Sequence, residues 1–174
     1  MRDGGGNLGP VEHLWAGWRS HYVRSADEEN EAGCLFCRLP GEDDATALIL
    51  ERGALAFSVL NRFPYSTGHL MVSQYRHAGD AADLTPAEAE EVWRLLVRSR
   101  RACGAAVKPD GFNLGANLGR IAGAGVPGHL HFHLVPRWAG DTSFMTTVGE
   151  IRVVPEDLTV TWALLREALA GLRD

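Results

Sequence analysis

Apolar and polar positions repeat along this chain with two periods, and the changes from one to the other predict the elements. Two short apolar runs, "ALILE" (47–51) and "ALAFSVL" (54–60), flank Arg52-Gly53 and predict a β-hairpin. "NRFPYSTG" follows as a loop marked by Pro and Gly, and "HLMVSQ" (69–74) as a third strand. Thr85-Pro86-Ala87-Glu88 has the capping-box pattern with Pro at the first helical position, and Ala89, Val92, Trp93, Leu96 and Val97 then recur at helical spacing. This helix is expected to end before Lys108-Pro109-Asp110-Gly111. "FNLGANL" and "HLHFHLV" predict two more strands, separated by "GRIAGAGVPG", a loop too rich in Gly for a stable helix. Near the C-terminus Leu158, Trp162, Leu165 and Leu169 form the apolar stripe of a last helix. Five strands, with a long helix before the final two, predict an α+β domain on an antiparallel sheet.

The first 33 residues follow neither period. Residues 1 to about 10 are Gly-rich and read as a flexible tail, whereas "VEHLWAGWRSHYVR" holds two Trp and a Tyr that need burial on the domain or on a second subunit. The acidic "SADEENEAG" reads as a solvated linker. The expected organisation is therefore an N-terminal extension (1–33) and one compact domain (34–174).

Composition narrows the function classes. A net charge of −5 over 174 residues argues against a general nucleic-acid binder, which displaces counterions with many Lys and Arg. A small phosphorylated ligand needs only a local cluster of donors. Without a long apolar run or a secretory h-region, the chain reads as cytoplasmic and not membrane-bound. In a reducing compartment Cys34-Leu-Phe-Cys37 suggests a metal rather than a disulfide, and Cys103 reads as a small buried residue of the long helix.

Three of the seven histidines stand at alternate positions, His129, His131 and His133. On a strand they share one face, with Leu130, Phe132 and Leu134 on the other. Neighbouring Cα atoms on that face lie about 7 Å apart, so two imidazoles can share a metal but three cannot easily do so. An imidazole that is neutral near pH 7 can attack phosphorus, and a partner at one nitrogen decides which nitrogen is left to do it. The preceding Gly-rich loop offers backbone N–H groups to phosphate oxygens.

With these residues the chain resembles the histidine triad (HIT) superfamily of nucleotide hydrolases and transferases, whose signature is His-x-His-x-His followed by two apolar residues. Here that is His129-Leu-His131-Phe-His133-Leu134-Val135. The likeness extends over "NRFPYSTGHLMVSQYRHAGDAADLT", "GFNLGANLGRIAGAGVPG" and "PRWAGDTSFM", roughly residues 34 to 155, and "LWAGWR" approximates an N-terminal element of the diadenosine tetraphosphate phosphorylase-like branch. The resemblance implies a nucleotidyl-enzyme mechanism with His131 as nucleophile, His133 donating to phosphate oxygens and His69 as the active-site histidine outside the triad. It implies Asn61 at the ribose, and Asn117 and Gly119 at the phosphates. A turn-stabilising role for Asn117 is an equal alternative, and Arg137 and Trp138 serve either packing or a subunit contact.

Some members of this family carry a structural zinc held by Cys-x-x-Cys, a histidine after the third strand and the first triad histidine. The matching residues here are Cys34, Cys37, His77 and His129, a donor set suited to tetrahedral Zn²⁺. The resemblance further implies a homodimer or higher homo-oligomer. Gln74 replaces an expected proline, Gly17 replaces a proline of the N-terminal element, and Gly128 replaces a larger residue before the triad. Gly125-Val126-Pro127 also lacks the hydroxyl or amide side chain that many HIT proteins place near the phosphate. None of these departures touches the nucleophile, but they leave the leaving group and acceptor open. The expected activity is cleavage of diadenosine tetraphosphate or a related nucleotide, resolved by phosphate or water. The alternatives are nucleotidyl transfer on a specialised conjugate and nucleotide binding without turnover.

Overall fold

The computed structural model describes residues 33–141 and 157–173. The aromatic N-terminal segment and the Ser143-Phe144-Met145 end of the motif stretch lie outside the described residues. A one-turn helix α1 (Leu35–Arg38) carries the Cys-x-x-Cys pair, a 3₁₀ turn follows, and a second single turn, α2 (Asp44–Ala47), leads into the sheet. Asp43 starts α2 by accepting from the backbone N–H groups of Ala45 and Thr46, both at 3.1 Å.

The predicted hairpin is β1 (Ile49–Arg52) with β2 (Ala56–Leu60), and the third strand is β3 (Leu70–Gln74). The long helix α3 (Pro86–Ala106) precedes β4 (Gly111–Ala116) and β5 (His131–Arg137), and α4 (Leu158–Gly171) ends the described chain. All pairings are antiparallel, in the order β1-β2-β3-β5-β4. The fold is thus the expected α+β arrangement, with β5 inserted between β3 and β4.

The predicted capping box at the start of α3 is present, Thr85 and Glu88 each bonding the other's backbone N–H. The buried side of α3 differs from the expected one. Val92, Leu95, Leu96, Ser99, Ala102 and Cys103 face the sheet, while Ala89 and Trp93 are exposed. Trp93 sits one step of about 100° beyond Val92, off the stripe that packs on β2 and β3. In α4 the stripe is as expected, and Trp162 also donates its indole N–H to the Ile49 carbonyl at 2.9 Å.

These helices cover one face of the sheet, and register assigns residues to the other. Ser73 pairs with His131 and Met71 with His133, so these four side chains share the face away from α3. Ala116 pairs with Phe132, which brings Asn117 level with His131 one residue past the ladder. No described helix is long and apolar enough to cross a membrane.

Candidate functional site

β5 begins at His131, so the first triad histidine does not belong to the strand. The alternation predicted one imidazole face of three. Instead Pro127 and Gly128 form a turn that Val126 closes by accepting from the His129 N–H at 3.3 Å, and Leu130 donates to the Ala78 carbonyl at 2.7 Å. This second bond holds the chain against the turn after β3 before it enters the sheet. His129 therefore points toward the Cys pair, while His131 and His133 share the open face with ring centroids 5.1 Å apart.

The His129 side chain is almost wholly buried, and its Nε2–H donates to the Gln74 carbonyl at 2.9 Å. That bond fixes the tautomer and leaves Nδ1 bare as a ligand. Nδ1 lies 3.2 Å from Cys34 Sγ and 3.5 Å from Cys37 Sγ, and His77 Nδ1 lies 3.4 Å from Cys37 Sγ. One donor atom from each of the four residues lies within 4.8 Å of every other. A tetrahedral Zn²⁺ at about 2.3 Å from sulfur and about 2.0 Å from nitrogen has S···N edges of about 3.5 Å, which the three short S···N separations match. All four sequence-predicted ligands converge here, and four protein donors would fill a tetrahedral shell of the structural kind.

Gln74 has a role that the sequence did not suggest. Its fully buried side-chain amide donates to the carbonyls of Arg76 and Ala78 at 3.1 and 2.9 Å, one on each side of His77. The next turn is pressed against the Gly-rich loop. A Cβ at Gly79 would stand 2.8 Å from the Pro127 carbonyl oxygen, and one at Gly128 would stand 3.4 Å from His77 Nε2. The Gly79 position thus has no space for a side chain, whereas one at Gly128 would rest in ordinary van der Waals contact on the His77 ring.

His131 is buried, and its Nδ1–H donates to the His129 carbonyl at 2.8 Å. Nε2 is then the unprotonated nitrogen. Burial lowers the imidazole pKa below its ordinary value, against a smaller opposing effect of that hydrogen bond, and keeps the ring neutral near pH 7. Phe36, in α1, stacks on the ring at 4.7 Å with planes 24° apart.

A second pair lies beside it. The Tyr65 N–H donates to His69 Nδ1 at 3.0 Å, so the His69 proton sits on Nε2 and is donated to His133 Nδ1, also at 3.0 Å. His133 consequently carries its proton on Nε2, the nitrogen suited to donating to a phosphate oxygen. Gly68, with φ of +78°, turns the chain so that His69 enters ahead of β3, and Tyr65 stacks on its ring at 4.6 Å.

The predicted binding residues are placed less uniformly. Asn61 lies beside this pair, with Nδ2 3.4 Å from His69 Nδ1 and Oδ1 accepting from the Phe63 N–H at 2.9 Å. Asn117 donates to the Gly123 carbonyl at 3.3 Å and closes the loop in which Gly119 has φ of +82°. The turn-stabilising alternative for Asn117 is therefore present. Arg137 is tied to Asp141 and, at 2.8 Å, to Asn113 Oδ1, which gives it a structural task at the far end of β5. Sequence reasoning missed the parts played by Phe36, Tyr65 and Gln74: Phe36 meets His131 from the far end of the domain, and the short-range bonds of Tyr65 and Gln74 belong to loops that have no period.

Known proteins match this arrangement. The HIT domain model matches residues 42–140. A protein named AP-4-A phosphorylase from Mycobacterium tuberculosis (strain H37Rv) is 36% identical over 168 residues, covering 93% of this chain and 86% of its own length. The adenosine 5′-monophosphoramidase of Schizosaccharomyces pombe is 28% identical over 72% of this chain and 96% of its own. Among solved structures, a zinc-bound histidine triad family protein from Mycobacterium smegmatis superposes with a TM-score of 0.65 at 30% identity, over 80% of this chain and 94% of the other. The triad at the start of β5, the convergent Cys and His side chains and these likenesses identify the chain as a member of the HIT domain family.

Proposed function

We propose that this protein cleaves a phosphoanhydride bond in diadenosine tetraphosphate or a related dinucleoside polyphosphate, through a nucleotidyl group held covalently on His131. The observation that carries the reading is the hydrogen bond from His131 Nδ1 to the His129 carbonyl, which leaves Nε2 as a neutral nucleophile beside a second, proton-donating histidine. Nε2 attacks the α-phosphorus, an N–P bond forms, and the P–O bond to the distal phosphates breaks with its electron pair leaving on oxygen. The His129 carbonyl stabilises the positive charge that His131 acquires. His133 Nε2–H donates to a non-bridging phosphate oxygen where negative charge accumulates. Phosphate or water then attacks the phosphorus from the side opposite the ring, the N–P bond breaks, and His131 is restored.

In this reading Asn61 binds the ribose, Asn117 and Gly119 line the phosphates, and His69 sets the tautomer of His133. Cys34, Cys37, His77 and His129 hold a structural zinc that anchors the start of β5. Pairing of two chains along β4, an edge strand with Leu114 exposed, is proposed for a homodimer and is tested by light scattering. The similarity to the curated phosphorylase supports a polyphosphate substrate.

The test is incubation with diadenosine tetraphosphate, with and without inorganic phosphate, and identification of products by mass. ADP with ATP only when phosphate is present means phosphorolysis, and AMP with ATP means hydrolysis. Turnover of adenosine 5′-phosphoramidate alone moves the substrate class to P–N bonds. AMP binding without any turnover overturns the catalytic reading in favour of nucleotide sensing.

A further inference from the structure

One of the two residues between Cys34 and Cys37 lies against the His131 ring. Phe36 occupies the third position of Cys34-Leu35-Phe36-Cys37 on the single turn α1, is about 1% exposed, and lies face to face with His131 at 4.7 Å. It also meets the His129 ring at 5.4 Å. Two separate restraints therefore act on the His131 imidazole. One is the hydrogen bond at Nδ1, from the backbone of a metal ligand. The other is the flat wall of Phe36, supplied by the segment that carries two more ligands.

A one-turn helix has no stability of its own, since nucleation costs more than one hydrogen bond returns. In α1 the Cys34 carbonyl accepts from the N–H groups of Cys37 and Arg38 at 3.1 and 3.2 Å, and Cys34 itself makes no side-chain cap. Phe36 and Leu39 anchor this turn in the core, and the convergence of its two thiols with His77 and His129 adds a second tie, to the turn after β3 and the start of the triad. We propose that Phe36 is a positioning residue for the catalytic step: its ring fixes the plane of His131, and closure of the four-residue metal shell completes the hold on the turn that carries it. This rests on the reading of His131 as nucleophile and of the Cys-His cluster as a zinc site. Metal occupancy then governs catalysis at a distance, through an aromatic wedge, although no metal ligand touches the substrate.

The test uses the full chain labelled with ¹⁵N, with zinc content measured in every sample. In the zinc-loaded wild type, long-range ¹H–¹⁵N spectra of the histidine rings show His131 as a single tautomer protonated on Nδ1. Removal of zinc with a chelator converts that signal to averaged nitrogen shifts, and reloading restores it. A zinc-loaded Phe36→Leu variant keeps its metal and its KM within about twofold, but loses between about tenfold and a hundredfold in kcat on diadenosine tetraphosphate, as misplacement of a reacting group does. Unchanged His131 shifts with and without zinc overturn the proposal, as does a zinc-loaded Phe36→Leu with wild-type kcat. So does a wild-type chain that binds no zinc. Should Phe36→Leu fail to load metal, zinc-loaded Phe36→Met is judged by the same kcat and KM criteria, since chelation of wild type also loosens the His129 carbonyl. Absence of any turnover by wild type overturns the proposed function, while the nitrogen shifts still decide the coupling between the metal shell and His131.

Discussion

Gln74 accepts the Nε2 proton of His129 on its backbone carbonyl at 2.9 Å, while its side-chain amide clamps the turn that carries His77. One residue, standing where the family pattern has proline, thus orients two of the four residues of the Cys-His cluster. Replacement by Leu keeps the backbone carbonyl but leaves the Arg76 carbonyl without this donor. Gln74→Leu is expected to weaken zinc binding by about tenfold, the usual scale for outer partners of ligands, and to cost about 1–2 kcal/mol of stability. Competition against a chromophoric chelator and denaturant titration check both values, and unchanged zinc affinity would refute the role.

His131→Ala should fold normally and lose about 10⁴-fold or more in kcat, because no other group supplies the covalent step. His133→Ala should lose less, about 10²–10³-fold, on the scale of one donor at a charge-accumulating oxygen. Steady-state kinetics with circular dichroism of each variant separate lost chemistry from lost structure.

Purified protein should carry one zinc per chain by elemental analysis. Cys37→Ser should abolish that stoichiometry and lower stability by about 2 kcal/mol or more, a shift in melting temperature of roughly 4–8 °C for a domain of this size. An unchanged melting temperature after metal loss would show that the cluster does not hold the fold.

Acid should weaken the turn behind the metal site through Glu88. The Arg76 guanidinium grips this carboxylate at 2.9 and 2.7 Å, Thr85 adds its N–H at 2.8 Å, and together they hold its pKa at about 2 instead of 4.5. A depressed carboxylate pKa contributes stability above the unfolded value, and that contribution is lost as pH falls from about 4.5 toward about 2. Glu88→Gln should lose about 1–2 kcal/mol at pH 7, and its stability should fall less than wild type's across that acid range. Denaturant titrations at pH 7, 4.5 and 3 measure the difference.

What was legible in the chain was what is local. The Arg52-Gly53 hairpin, the Thr85–Glu88 cap and the α4 stripe follow from spacings of a few residues. The insertion of β5 between β3 and β4 did not, because partner choice among strands depends on contacts across some 60 residues. The triad was readable as chemistry but misleading as geometry. Alternation at 129, 131 and 133 fits a strand face, yet the Leu130–Ala78 bond and the Pro127-Gly128 turn remove the first histidine from it. The ligand set and the nucleophile were named through family likeness, whereas Phe36 and Gln74 became visible only through tertiary contact.

The close approach of Gly79 to Pro127 bears on how the Gly-rich loop can respond to a substrate. At its C-terminal end the loop is clamped backbone to backbone against the His77 turn. At the other end the Asn117 side chain closes it together with the Ala124 N–H, which donates to the Gly119 carbonyl at 3.3 Å, while a side chain at Gly119 would meet open space and Ile121 is fully exposed. The loop is thus held backbone to backbone at the end next to His131, the residue proposed to react, and carries its most exposed side chain, Ile121, at the other end.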